Sequence, residues 1–200
     1  LPISSINSFM TTKKSSLLKL SRKILNNSAI VRTRQTHSSN VAIIEESISN
    51  GILSIQYTDA LITRLKNTYL CIKAADCMPI LIHHKSGIIA AIHSGREGTI
   101  KQILHKTIKT LLTMTNDLVG YTFWFGPCIC KSCHQINAKK DLYYDLISEN
   151  KAQIASLLSI KDNQLLVSDQ CTCCNANEYF YSYRADNFTK KRNYIMISQE

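Results

Sequence analysis

Residues Ala74 to Gly95 read "AADCMPILIHHKSGIIAAIHSG", two apolar runs separated by Lys85-Ser86-Gly87. A three-residue hairpin loop needs a positive φ at its last position, and glycine supplies it. The stretch is therefore expected to be an antiparallel hairpin in buried sheet. In that register His84 lies opposite Ile88, Pro79 opposite His93 and Cys77 opposite Gly95. Side chains two positions apart share a face, so Cys77 and His93 are diagonal neighbours within reach of one another. A slip of one residue would separate them. His83 shares their face but lies about 20 Å along the strand. His84 is on the other face. Both sit beside the turn, and both are expected to be solvated bystanders. Cys77 and His93 at the open end are a candidate metal-binding pair, with hydrogen-bonded passengers as the alternative.

The chain after His93, "HSGREGT", reads as strand, glycine-flanked loop and helix start. Backbone N–H groups at a helix N-terminus attract anions. Gly95, Arg96 and Gly98 are thus candidates for a phosphate cradle beside the metal ligands, against the alternative of an ordinary strand–helix turn. From Thr99, the residues Ile100, Ile103, Leu104, Ile108, Leu111 and Leu112 recur at helical spacing. A second helical region is expected within "KKDLYYDLISENKAQIASLLSI". Strands are expected at "INSFMTT", Val41–Ile44, "DALIT", "YTFWFGP", "NEYFYSYRADN" and "RNYIMIS", with a short amphipathic helix in "TTKKSSLLKLSRK". The pattern gives one α/β (α+β) domain over residues 1–200, with mixed sheet flanked by helices.

Composition narrows the classes. A chain of 200 residues, 44% hydrophobic and 19% charged, can bury a real core. Its formal charge of +10 invites anionic partners. The lysines are dispersed, however, and no zinc-finger, RRM or KH pattern occurs, so a solvated basic surface is expected and no nucleic-acid partner. No window approaches the ~18 apolar residues of a membrane span. The first residues lack the n- and h-regions of a signal peptide, so the expected setting is cytoplasmic, without membrane. Eight cysteines then point to metal or catalysis before disulfides.

Read in order, "RQTHSSNV", "TDALIT", "AADCMPILI", "AAIHSGREGTIKQIL", "FGPCI" and "CTCCNANEYFYSYRADN" resemble the laccase-domain family, first called multicopper polyphenol oxidases and later recognised as purine nucleoside phosphorylases with adenosine deaminase and methylthioadenosine phosphorylase activity. The resemblance covers about Gln35 to Ser198. It implies central sheets covered by helices, a layered fold similar to that of cytotoxic necrotizing factor deamidases. It implies a metal site of His37, Cys77 and His93, two of which the register had already paired. One thiolate and two imidazoles suit Zn2+ and leave a position open for water or substrate. Cu2+ is the less favoured ion, because three scattered ligands do not make a multicopper oxidase centre. The implied substrates are a purine nucleoside and inorganic phosphate. Phosphate attacks C1′ of the ribose in phosphorolysis, and water activated at the metal attacks C6 of adenine in deamination. Arg184 matches a family arginine and is assigned to phosphate. Asp76 is assigned to orienting a ligand histidine or relaying a proton, with a structural ion pair as the alternative. The deamidase likeness raises a second role for Cys77, a nucleophile activated by histidine. A peptidoglycan-editing role and a non-catalytic metal-binding paralogue are the rival functions, and a monomer is the expected state.

The chain departs from the family at places that matter. Where the family writes H-A-G-W-R-G, this chain has His93-Ser94-Gly95-Arg96-Glu97-Gly98, so Glu97 reverses a charge beside the cradle. Ser38 replaces a glycine after the QxH histidine. The glycine-rich loop expected before Gln35 is not visible, so the N-terminal part is expected to be shortened. Finally, Cys130-x2-Cys133 and Cys171-x2-Cys174 each have zinc-ribbon-like spacing. Family members carry cysteine near both places without metal, so buried structural thiols are expected there and a second metal is the alternative.

Overall fold

The structure is a computed structural model that describes residues 6–15, 22, 24–49, 51–176 and 178–200. Two mixed sheets stack face to face. The first has the order β1 (Ile6–Met10), β13 (Asn193–Gln199), β6 (Thr68–Ala74), β2 (Ala29–Arg34) and β4 (Ile52–Gln56). The second runs β12 (Leu165–Val167), β9 (Tyr121–Phe125), β7 (Met78–His84), β8 (Ile88–Ser94), β5 (Ala60–Thr63) and β3 (Val41–Ile44). A small ribbon joins β10 (Gln135–Asn137) to β11 (Leu142–Tyr143). The architecture is α+β: the α-helices that follow β8 lie on one side of the second sheet, while Ile24, in helical conformation, packs against Ile30, Cys71 and Met196 of the first.

The period-2 alternation of strands decides the layers. Leu61, Leu81, Ile89 and Ala91 point from the second sheet to Leu70, Ile72, Ile195 and Ile197 of the first. Ile80, Ile82, Ile88, Ala90 and Ile92 point the other way, onto helices α2 (Ile103–Thr115) and α3 (Leu146–Ala155). The β7–β8 hairpin is buried along all seven residues of each strand, which is why both runs are apolar on both faces. Its register is the expected one, with His84 opposite Ile88 and Pro79 opposite His93, and Gly87 has φ +82°.

Three expectations are corrected. The helix read from Thr99 is two helices, α1 (Arg96–Ile100) and α2, broken where Gln102 takes φ +62°. The break swings Ile100 off the apolar face, and it is 58% exposed. "NEYFYSYRADN" is not a strand over its described residues. Its serine and aspartate fold the backbone instead: the Ser182 N–H donates to Asp186 Oδ2 at 3.1 Å and Ala185 N–H to Ser182 Oγ at 3.0 Å. His83 and His84 are buried rather than solvated, and His84 bonds Ser86 Oγ and the Val119 carbonyl, each at 2.8 Å. The amphipathic helix expected in "TTKKSSLLKLSRK" falls largely outside the described residues. Among the described residues, no helix is long and apolar enough to cross a membrane.

Candidate metal centre

Three segments deliver His37, Cys77 and His93 to one end of the sheet pair. His93 is the penultimate residue of β8, on the face that points between the sheets. Cys77 stands one residue before β7, diagonal to it. His37 comes from the loop between β2 in one sheet and β3 in the other. One ligand atom from each lies within 4.8 Å of the others. The two imidazoles meet edge-on, with centroids 5.0 Å apart and planes at 73°.

The backbone at this end is held against its preferences. His37 has φ +56° and Asp76 has φ +85°, conformations that residues with a Cβ adopt only under constraint. At His37 the constraint comes from Asp59, which lies just before β5 and is fully buried. Its carboxylate accepts the backbone N–H groups of Thr36, His37 and Ser38 at 2.8–3.1 Å and the Ser38 hydroxyl at 2.7 Å. Upstream, the Gln35 amide pairs both ways with the Lys73 backbone, at 2.7 and 3.0 Å, and extends the β2–β6 ladder by side chain. At Asp76 the constraint comes from the Thr172 hydroxyl and the Arg184 N–H, which donate to its carboxylate at 2.8 and 2.7 Å.

Asp59 also bonds His93 Nδ1 at 2.9 Å. This leaves Nε2 of His93 as the nitrogen free to face Cys77, the arrangement by which a carboxylate orients a metal-ligating imidazole. The sequence reading offered Asp76 for that role or for proton relay, with structural pairing as the alternative. The carboxylate bonded to His93 is Asp59, and Asp76 is bonded to Thr172 and the Arg184 backbone. The signal was present in "TDALIT", where a carboxylate sits just before an apolar strand.

Charge in the site is set by proximity. Burial raises the Cys77 thiol, but the His93 imidazolium and hydrogen bonds from both histidines outweigh it and bring the pKa to about 6. Burial lowers His93, but the Cys77 thiolate and the Asp59 carboxylate carry it up to about 9. Burial likewise raises Asp59, and the bonds from His93, Ser38 and Thr36 hold it well below the usual carboxylate range. These shifts favour a thiolate–imidazolium pair, and the thiolate is the form of cysteine that ligates a metal. Gly95 makes room for it: a Cβ there would stand 2.6 Å from Cys77 Sγ and 3.3 Å from His37 Cδ2. The donor set and the cleared space fit a single ion with two imidazole ligands and one thiolate.

The site opens on a cleft of about 680 Å3, within the range of small-molecule pockets. Lys73, Arg96, Arg184, Lys190 and Arg192 line it, against the acids Asp76 and Glu97. Arg96 bonds Glu97 at 2.9 Å, and two Arg184 nitrogens donate to the carbonyls of Cys133 and Gln135 at 2.7 and 2.9 Å. Gly98 packs instead of facing the cleft, with a would-be Cβ 3.2 Å from the Ser38 carbonyl. The buried Ser94 hydroxyl and the Asn150 and Thr99 side chains form one network that fixes the Gly95–Thr99 turn. Tyr183 and Phe188, which sequence reading missed, form an edge-on pair with centroids 5.1 Å apart on the cleft wall. Phe188 has φ +58°, an outlier for a bulky residue. The other cysteines are not all buried core thiols: Cys71, Cys128 and Cys171 are buried, while Cys130 and Cys133 are half-buried and Cys174 is exposed.

Residues 13–142 match the family model described as multi-copper polyphenol oxidoreductase laccase, and the chain belongs to that family. A purine nucleoside phosphorylase of Campylobacter jejuni is 34% identical over 169 residues, 78% of this chain and 72% of the relative. An adenosine deaminase from an unknown prokaryotic organism is 25% identical over 78% of this chain and 70% of its own length. The crystal structure of YlmD from Geobacillus stearothermophilus has the same fold, with a TM-score of 0.86 at 19% identity over 100% of this chain and 93% of that one.

Proposed function

We propose that this chain is a purine nucleoside phosphorylase that also deaminates adenosine, working with a zinc ion held by His37, Cys77 and His93. One observation carries the reading: a thiolate and two imidazoles converge within 4.8 Å at the floor of a cation-lined cleft. The names of the relatives support it. Bound zinc supplies Lewis acidity and makes water a nucleophile near neutral pH.

The chain's own residues do the rest. The Tyr183–Phe188 pair offers aromatic surface to a purine. Lys190, Arg192 and the free edge of Arg184 neutralise phosphate and hold it in line with C1′. As the C1′–O bond forms, the C1′–N9 bond breaks and the purine leaves with its electron pair. Asp59 fixes the His93 tautomer throughout. Arg96 is tied to Glu97, so it contributes less charge to phosphate than the other cations.

The test is the zinc-loaded chain with adenosine, with and without phosphate. Adenine and ribose 1-phosphate are expected only with phosphate, and inosine with ammonia in its absence. Cys77→Ser and His93→Ala should lose bound zinc at this site and both activities. Absence of phosphate-dependent base release from zinc-loaded protein would falsify the phosphorylase reading.

A further inference from the structure

Part of the cleft wall is built from chain with little regular structure. Between β12 and β13, the described residues of 168–192 form no strand or helix, and their one bridge to the preceding wall segment joins Cys128 to Cys171. Yet this region brings four cysteines together from two C-x2-C turns 41 residues apart in phase. The sulfurs of Cys130, Cys133, Cys171 and Cys174 all lie within 4.8 Å of one another, with Cys133–Cys174 at 3.5 Å and Cys130–Cys174 at 4.0 Å. Four sulfurs at ~2.3 Å from one zinc ion, at the corners of a tetrahedron, are separated by about 3.8 Å. A covalent S–S bond needs about 2.05 Å.

The surroundings suit a metal thiolate cluster. Cys130 sits before the 3-10 turn Lys131–Cys133, whose Cys133 and His134 N–H groups fold back on the Cys130 carbonyl at 3.1 and 3.0 Å. The backbone N–H groups of Cys130 and Cys174 both donate to Cys171 Sγ, at 3.2 and 3.4 Å. Such N–H···S contacts are the kind of outer hydrogen bond that orients a ligating sulfur. Four thiolates around a divalent cation leave a net negative charge. Arg184, clamped on the Cys133 and Gln135 carbonyls, brings positive charge to the first turn.

We propose that Cys130, Cys133, Cys171 and Cys174 bind a second, structural zinc ion, separate from the His37–Cys77–His93 centre. With four protein ligands the site is closed, and it supplies folding energy rather than chemistry. It staples the Cys130 turn to the Cys171 turn. The same stretches carry Ile129, His134 and Arg184 of the cleft wall, and Thr172, which holds Asp76 beside Cys77.

The experiment uses the full chain and reads metal directly. The wild type should carry two zinc ions per chain by elemental analysis, and Cys77→Ser should retain one. Cobalt exchanged into Cys77→Ser should give the strong visible and sulfur-to-metal charge-transfer bands of a tetrahedral tetrathiolate. Cys130→Ser with Cys133→Ser should lose that signal and half of the wild-type zinc. Because Cys77→Ser leaves the cluster intact, the result does not depend on the cluster variants folding. It also stands whether or not the chain turns over nucleosides. Metal-free Cys77→Ser protein, a Cys133–Cys174 disulfide found by mass spectrometry, or an iron chromophore at the cluster would each overturn the assignment.

Discussion

Asp59 links the two halves of the candidate metal centre more tightly than either ligand histidine does. One carboxylate fixes the His37 loop through three backbone N–H groups and the His93 ring through Nδ1. Asp59→Asn replaces one acceptor oxygen by a donor that faces N–H groups. Zinc affinity at the three-ligand site is expected to fall about 10–100-fold, read by competition with a chelator in a cluster-deficient background. An unchanged affinity would show that Asp59 is only a loop anchor. The Cys77–His93 pair sets the pH dependence. Cys77 is lowered from 9.0 to about 6 and His93 is raised from 6.5 to about 9, so between those values the metal-free pair holds one proton. Zinc needs the thiolate and the neutral imidazole, so binding must expel that proton. Affinity should rise about tenfold per pH unit from this pair between about pH 7 and 9, and level off above. A pH-independent affinity over that interval would mean that the thiolate–imidazolium pair does not form. The partnership of Cys77 and His93 was legible because a register argument needs only alternation and one glycine. Asp59 was not, because the burial and the N–H donors that give it a role arise only once β5 docks beside β8.

The hairpin and several further strands could be read from apolar runs bounded by turns: β1, β3, β5 and β9 fall inside the segments marked for them, and β13 overruns its segment by one residue. What failed was local. Aromatics at alternate positions in "YFYSY" imitate a strand, but Ser182 and Asp186 bond the backbone first and curl it. Helical spacing from Ile100 ran straight through a break, since periodicity does not report the sign of φ at Gln102. That break tests the account of strain. A non-glycine residue in the left-handed region costs roughly 1–2 kcal/mol, and glycine avoids most of it. Gln102→Gly is therefore expected to raise the unfolding free energy by up to about 1 kcal/mol, and Gln102→Val to lower it by at least as much. Urea denaturation decides between this and a break held by tertiary contacts alone, for which glycine would be neutral or harmful.

Across the molecule, an ion held in the proposed three-ligand site would act as a clasp. Cys77 and His93 belong to the six-stranded sheet, and His37 to the crossing from the five-stranded sheet into it. The two sheets also meet through the apolar layer of Leu61, Leu70, Ala91 and Ile195, through the bonds of Asp59 to the His37 loop, and through the Gln199 amide, which donates to the Arg64 carbonyl at 2.7 Å. An ion bound here ties the loop leaving β2 to the ends of β7 and β8, so it binds the folded chain and finds no such arrangement in the unfolded one. The stabilisation follows from mass action: free zinc at 1,000 times its dissociation constant adds about 4 kcal/mol. For a chain of this length that corresponds to a rise of roughly 8–16 °C in the melting temperature. The measurement is a thermal melt of metal-stripped protein against zinc concentration, in a variant with the second cysteine cluster removed. The midpoint should climb with the logarithm of free zinc, and Cys77→Ser should flatten the slope. A midpoint that ignores zinc while the ion demonstrably binds would mean that the unfolded chain binds zinc as tightly as the folded one, so that the ligands need no fold to bring them together and the clasp is overturned.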